Sequence, residues 1–329
     1  MSVASAVEFS AYRQYEATRQ EANNAIMALL AGSKLAAHTL QLTAGSRSLL
    51  PDIFPGVEHI NYFNLRTDVA TELLIDSGHH LGAVAVPYAL AVHEDFVMTT
   101  VDLLRQFSIA VKAPGRSRDP AKNPVKAWNM HEALYMTLGA PVPSLGAGQG
   151  VGSTALQGFH LLREMRNCHI HAGGVTAGSP RLAQAAADIG PLAAAEWERL
   201  ARRSHLDVVA DTRLRFTTFD IFAVFATTKT LGRELNALLR ASLGADQWAQ
   251  LCVQDYLGVS SKAVRSDPWL RGLRGHADAL YGAAAIPDGE LIAAARAVDA
   301  WAGGQAIPAR RPARRRRPGT GRPDPAVST

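Results

Sequence analysis

The most informative part of this 329-residue sequence is Leu161-Leu162-Arg163-Glu164-Met165-Arg166-Asn167-Cys168-His169-Ile170-His171-Ala172-Gly173-Gly174. Its spacing is typical of the last turns of an amphipathic helix, with Leu161, Met165 and Cys168 on the apolar strip. Glycines 173 and 174 predict the helix end, because glycine adopts the left-handed conformation of a C-cap without steric cost. Arginine, asparagine and histidine side chains crowd this end, so we expect the chemistry of the protein there.

The sequence on both sides also predicts helices. Hydrophobic residues make up 47% of the chain, which is enough for a sizeable core, and strand-like alternation of β-branched residues is scarce. Apolar residues recur at helical spacing in the following ranges: 5–43, 64–77, 81–110, 127–138, 153–172, 180–203, 217–242, 245–257 and 288–301. Consecutive helices with short connections predict an all-α helical bundle.

The composition divides the chain into four parts. We expect an N-terminal helical segment over 1–58, a helical domain over 59–260, C-terminal helices over 261–304 and a disordered Arg/Pro-rich tail over 305–329. The tail holds seven arginines and one aspartate, so it carries more than the net charge of +5 and the rest of the chain is close to neutral.

The basic tail is a candidate electrostatic contact to nucleic acid, through the following arginines: Arg310, Arg311, Arg314, Arg315, Arg316 and Arg317. It has no aromatic residue on which bases could stack, so we expect no reading of nucleotide sequence there. The alternative is a solvated tail without a binding partner.

Several classes of protein are not expected from this sequence. Two cysteines do not form a disulfide framework in a chain of this length, so a cytoplasmic protein is expected. The N-terminus lacks a basic segment followed by an apolar run, so no signal peptide is expected. The longest apolar run, Leu81 to Val92, is too short to span a bilayer and contains Pro87, so no membrane association is expected.

The polar residues of the quoted stretch fall on two sides of the predicted helix. Glu164, Asn167 and His171 share one side, because positions i, i+3 and i+7 nearly superpose. Arg166 lies roughly 140° around the axis from His171. Either the long side chain of Arg166 or a second copy of the helix across a symmetric dimer would be needed to bring guanidinium and imidazole together, and a homodimer is expected.

Arginine, asparagine and histidine together suit cleavage of RNA without a metal or another cofactor. His171 is the expected general base or acid, because imidazole titrates near neutral pH. Arg166 is the expected clamp on the phosphate, and Asn167 the residue that orients a substrate oxygen or the imidazole. Glu164 is expected to hold Arg166 or His171 in place. The attacking group would be the 2′-hydroxyl, which DNA lacks.

The arrangement Arg166-Asn167-Cys168-His169-Ile170-His171 resembles the HEPN superfamily, whose ribonuclease members carry Arg, a polar residue, a short spacer and His. The resemblance covers about residues 60 to 260 and is sharp only over 161–174. It implies an all-α, usually dimeric fold with the two motifs facing each other, and metal-independent nucleases that often act as toxins or in antiviral defence. An antitoxin or defence-system protein is therefore a further expected partner besides RNA.

Other interpretations of the same residues remain open. Arg163 and His169 form a second, overlapping arginine–histidine match and are supporting candidates. His171 could instead be a cation favoured by the helix dipole, with the arginines on a solvated face. The protein could also be a non-catalytic HEPN-like module that binds nucleic acid or protein, or a plain helical interaction protein.

A zinc site is a weaker interpretation. Cys168, His169 and His171 lie within one helical turn, whereas a structural zinc site needs ligands from a second segment. His93-Glu94 and His131-Glu132 lack the second histidine of a zinc-protease helix, so we expect both to be surface pairs. No metal is expected.

Overall fold

The structure is a computed structural model that describes residues 6–43, 46–111, 127–139 and 153–301. The predicted all-α fold is confirmed, because these ranges contain helices and no β-strand. The α-helices are α1 (Ser10–Gln41), α2 (Leu50–Ile53), α3 (Thr67–Ile75), α4 (Ser77–Gln106), α5 (Ala127–Thr137), α6 (Ser153–His171), α7 (Pro180–Ala187), α8 (Pro191–Ala201), α9 (Asp207–Ala210), α10 (Thr218–Ser242), α11 (Ala245–Val259), α12 (Asp267–Leu280) and α13 (Asp288–Ala297).

Two hydrophobic cores lie along the central pair of helices, α4 and α10. The first core combines the C-terminal halves of α4 and α10 with the start of α1 and with α11, α12 and α13, and its largest buried side chains include Trp248 and Trp269. The second core combines the N-terminal halves of α4 and α10 with α6, α7 and α8, and includes Leu161, Leu162 and Trp197. The N-terminal helix and the C-terminal helices therefore share a core with the central helices.

Glycine permits the close approach of α4 to the segment that leads into α10. A Cβ atom on Gly82 would lie 2.6 Å from the Cβ atom of Phe216, which is closer than real Cβ atoms approach. The short distance between α4 and Phe216 is therefore possible because residue 82 has no side chain. This packing positions the second core, on which α6 lies.

The predicted helix over 180–203 was wrong in one respect, because two helices occupy that range. α7 ends at Ala187 and α8 begins at Pro191, which follows the extended residue Gly190. Proline has no N–H group to donate and fits the first turn of a helix, so it starts a new helix rather than continuing the old one. Both α7 and α8 contact α6.

Helix α12 was not predicted from the sequence. Ser266 caps this helix, since its hydroxyl oxygen accepts a hydrogen bond from the backbone N–H of Trp269 at 3.2 Å. Serine followed by Pro268 in the first turn is a recognisable helix start.

α4 is the one helix among the described residues that is long and apolar enough, by length and composition, to cross a membrane. Core helices pass the same test, and α4 contributes buried residues to both cores. The length and composition of α4 are therefore weak evidence for a membrane span.

Candidate functional site

The candidate site lies at the C-terminal end of α6, which ends at His171 as predicted. Gly173 and Gly174 both have positive φ angles, 58° and 79°. The N–H of Gly174 donates to the carbonyl of Cys168 at 3.0 Å, and its carbonyl accepts from the N–H of Leu214 at 2.7 Å. These bonds fix the helix end against the segment before α10.

Arg166 is held at the edge of the protein by a carboxylate on α4. Its Nη2 atom lies 3.2 Å from Oε1 of Glu94, and both side chains are 25% exposed. One ion pair uses only part of the guanidinium, which offers five N–H donors in a fixed plane. Arg166 is therefore both oriented and reachable by an anion from solvent.

Glu94 was not among the predicted site residues, and the prediction that Glu164 holds Arg166 or His171 was wrong. Glu164 is buried, and among the described residues no hydrogen bond or ion pair joins it to Arg166 or His171: its Oε1 accepts from Nη2 of Arg163 at 2.6 Å, and its Oε2 accepts from Nδ2 of Asn167 at 3.3 Å. Glu164 therefore orients Asn167, while Glu94 orients Arg166. Burial lowers the pKa of Arg163 from its ordinary value, although the adjacent Glu164 opposes that shift.

The two histidines of the helix end have different surroundings. His171 is exposed, and the apolar residues near it in the sequence, Ile170 and Val175, are themselves partly exposed. His169 instead packs its ring against Phe216 and His79, with centroid distances of 5.3 Å and 6.1 Å. His171 is therefore the more exposed of the two histidines of this helix end.

Arg166 and His171 are not in contact within one chain. Neither a hydrogen bond nor an ion pair joins them in the described part of the molecule, as the separation around the helix axis predicts. The described residues therefore place both groups at the helix end but leave them on different sides of it.

A groove lies along the same polar side of α6, toward its N-terminus. Gln157 and His160 continue the line of Glu164, Asn167 and His171, and α7 forms the opposite wall. The resulting α6–α7 groove has a volume of about 220 Å³. His160 Nε2 lies 3.2 Å from Oε1 of Glu132 at the end contributed by α5. The polar heptad spacing that starts at Gln157 could have indicated this groove from the sequence.

His93 and His131 are core residues, so the expectation that they are surface residues was wrong. Both are fully buried, with ring centroids 5.2 Å apart, and the hydroxyl of Tyr15 lies 3.0 Å from Nδ1 of His93. Burial lowers the pKa of His93 to about 3, and it lowers that of His131 well below its ordinary value. Both imidazoles are therefore neutral in the folded protein at neutral pH.

The remaining candidate residues give no second site within the part of the chain that the structure describes. The arginines of the tail, at 310, 311 and 314–317, lie outside the described residues. Within the described ranges, no group of three or more His, Cys, Asp or Glu side chains is arranged to hold a metal ion.

Comparison with known proteins adds no relative from which a site could be transferred. No protein-family model, curated protein or solved structure matches the chain.

Proposed function

We propose that this protein is a metal-independent endoribonuclease of the HEPN type that acts at the C-terminal end of α6. The observation that carries the proposal is that Arg166, held by Glu94, and exposed His171 lie five residues apart at one helix end. Asn167, fixed by Glu164, lies between them in the sequence. A cation for the phosphate, a titrating imidazole and an amide are the groups that cleavage by the 2′-hydroxyl requires.

In the proposed reaction His171 takes the proton of the 2′-hydroxyl, whose oxygen attacks the adjacent phosphorus. A bond forms between the 2′-oxygen and phosphorus, and the bond from phosphorus to the 5′-oxygen breaks. The leaving 5′-oxygen then takes a proton from an acid. Arg166 stabilises the charge that develops on the phosphoryl oxygens during this step.

The acid is proposed to come from a second copy of the chain. His169 packs against Phe216, so one α6 end offers a single freely exposed imidazole. A symmetric dimer in which two α6 ends face each other would supply His171 of one copy as base and the second His171 as acid. It would also bring the Arg166 of each copy toward the His171 of the other. A toxin or antiviral-defence role, with a protein that restrains the activity, is part of this proposal.

The direct test is incubation of the full-length protein with end-labelled RNA in EDTA. Wild-type protein is expected to cleave RNA and to leave DNA of the same sequence intact. His171→Ala should lower the cleavage rate at least about 100-fold, since general acid–base catalysis contributes factors of that order. His59→Ala is the matched control, because His59 is exposed and lies outside α6. Full activity of His171→Ala would contradict the proposal, and binding without cleavage would favour a non-catalytic module.

The dimeric site can be tested by mixing the wild-type and His171→Ala proteins. The proposed reaction uses the His171 of both copies, so a dimer of one wild-type chain and one His171→Ala chain should be inactive. After subunit exchange, an equimolar mixture should therefore keep about a quarter of the activity of the same total amount of wild-type protein, because a quarter of the randomly mixed dimers carry two intact chains. Retention of about half of that activity, although the subunits exchange, would show that one His171 is sufficient and would exclude the shared site.

A further inference from the structure

The α6–α7 groove takes no part in the proposed bond cleavage, yet polar side chains line it. Gln157, His160, Arg163 and Glu164 each have 5–8% of their surface exposed and contact this cavity. Burial of charged and polar groups costs free energy unless they are paired, and a cavity on which a few polar groups converge is the usual form of a small-ligand site. The volume of about 220 Å³ is below the range typical of drug-sized ligands, which suits a ligand of the size of one nucleobase.

The charges of the groove exclude some ligands. Three carboxylates line it, those of Glu132, Glu164 and Asp188, and two arginines, Arg163 and Arg181. This excess of negative charge disfavours a phosphate group inside the groove. An organic cation on Glu164 would meet the adjacent guanidinium of Arg163, which is 2.6 Å from the same carboxylate. The favoured ligand is therefore neutral and presents hydrogen-bond donors beside an acceptor.

The carboxylate of Glu164 retains hydrogen-bonding capacity. An ionised carboxylate has about four acceptor positions, and Arg163 and Asn167 occupy one on each oxygen. Two positions, one on each oxygen, can accept a pair of adjacent N–H groups. Among the four RNA bases only guanine presents two adjacent donors, N1–H and N2–H, and its O6 acceptor lies next to them.

We propose that the α6–α7 groove binds a guanine base, with N1–H and N2–H donating to Glu164 and O6 accepting from Arg163. Ala185 and Ile189 on the α7 side provide apolar surface for the faces of the ring. Glu164 precedes His171 by seven residues, or about 10 Å along the helix axis, a distance that one nucleotide can span from base to backbone. The inference that RNA is cleaved next to that guanosine rests on the proposed function, whereas the inference that the groove binds guanine does not.

Binding is tested by calorimetric titration of the full-length protein with the four nucleoside 5′-monophosphates, which share one phosphate group. The guanosine compound should bind at least about tenfold more tightly than the others, and inosine monophosphate, which lacks the 2-amino group, should lose most of that preference. Equal affinities for guanosine and adenosine monophosphates would overturn the proposal.

Two variants separate the groove from general effects on the fold. Glu164→Gln replaces one acceptor oxygen by a donor and should weaken guanosine monophosphate binding at least about tenfold. Ala185→Phe fills the groove from α7 without removing the Arg163–Glu164 pair and should abolish binding. Ala183→Phe, on the exposed side of the same helix, is the matched control and should bind as wild type does. Unchanged binding in a folded Ala185→Phe protein would show that the ligand lies elsewhere.

Cleavage of oligonucleotides with a single guanosine or inosine distinguishes the two proposals. If the wild-type protein cleaves next to guanosine, and Ala185→Phe cleaves without that preference, both proposals are supported. Cleavage without any guanosine preference, together with no selective nucleotide binding, would overturn the groove proposal alone. Selective guanosine monophosphate binding by a protein that cleaves no RNA would overturn the ribonuclease proposal alone.

Discussion

His93 and His131 show how strongly the surroundings of a single residue determine its chemistry. Both are fully buried and neutral, and neither ring nitrogen of His131 has a hydrogen-bond partner among the described residues. In the unfolded chain a histidine titrates near pH 6.5, whereas burial lowers the pKa of His93 to about 3 in the folded protein. Below pH 6.5 the unfolded state therefore binds more protons, and the folded state loses stability as the pH falls toward 3.

Replacement of His131 by phenylalanine should remove part of this acid sensitivity. Phenylalanine keeps a ring against Tyr135 and Phe159 and cannot be protonated. Between pH 7 and pH 5 the free energy of unfolding of His131→Phe, relative to wild type, should increase by about 2 kcal/mol. Urea unfolding at both pH values measures this, with the exposed His59→Ala as control. An identical pH dependence in wild type and His131→Phe would show that the pKa of His131 is the same in the folded and the unfolded protein.

At the scale of the helix, the end of α6 could be predicted and its partners could not. Gly173 and Gly174 end the helix for a local reason, so the positions of Arg166, Asn167 and His171 followed from spacing. Glu94 precedes Arg166 by 72 residues and reaches it only through the packing of α4 on α6. Helical periodicity predicts which face of each helix is buried but not the register between two helices. Neither Glu94 nor Glu132 could therefore be predicted as the partner of a residue on α6.

Two features of the helices were not predicted, for different reasons. They are the break between α7 and α8 and the start of α12. Gly190-Pro191 and Ser266 with Pro268 are local signals present in the sequence. The apolar pattern across 180–203 predicted one continuous helix in spite of Gly190-Pro191. No helix was predicted for the residues that follow Ser266. The all-α fold and most helix positions were predicted correctly because each long helix carries its own apolar stripe.

Two glycines in long helices should respond oppositely to alanine. Gly82→Ala places a Cβ atom 2.6 Å from that of Phe216 and should destabilise the protein by about 1–3 kcal/mol. Gly32, in the interior of α1, has no neighbouring atom within 4 Å of an added Cβ atom, so Gly32→Ala should stabilise by up to about 1 kcal/mol. Chemical denaturation measures both values. A neutral Gly82→Ala variant would mean that residue 216 can move away from α4.

At the scale of the whole molecule, the two cores are joined by helices that belong to both. Buried residues of α4 and α10 contribute to each core, so loss of either core would leave half of each helix without its packing partners. The described helices are therefore expected to unfold in one cooperative transition.

A cavity in the second core should be detected from the first core. Leu162→Ala removes a fully buried side chain of the second core and should destabilise the protein by about 2–5 kcal/mol. In a background in which Trp128 and Trp197 are replaced by phenylalanine, the three remaining tryptophans, Trp248, Trp269 and Trp301, all lie in the first core and report its unfolding by fluorescence. Leu162→Ala should shift the unfolding midpoint measured by this fluorescence as far as it shifts the midpoint measured by far-UV circular dichroism. Separate transitions for the two signals would show that the cores unfold independently.

The two cysteines of the chain are both buried, Cys168 in the second core and Cys252 in the first. Burial raises the pKa of each thiol, that of Cys252 to about 12, so neither reacts readily while its surroundings stay closed. The rate of alkylation of each cysteine under native conditions, followed by mass spectrometry, would thus report how often the surrounding core opens, without any engineered probe. RNA or a nucleotide bound along α6 is expected to lower the alkylation rate of Cys168 more than that of Cys252.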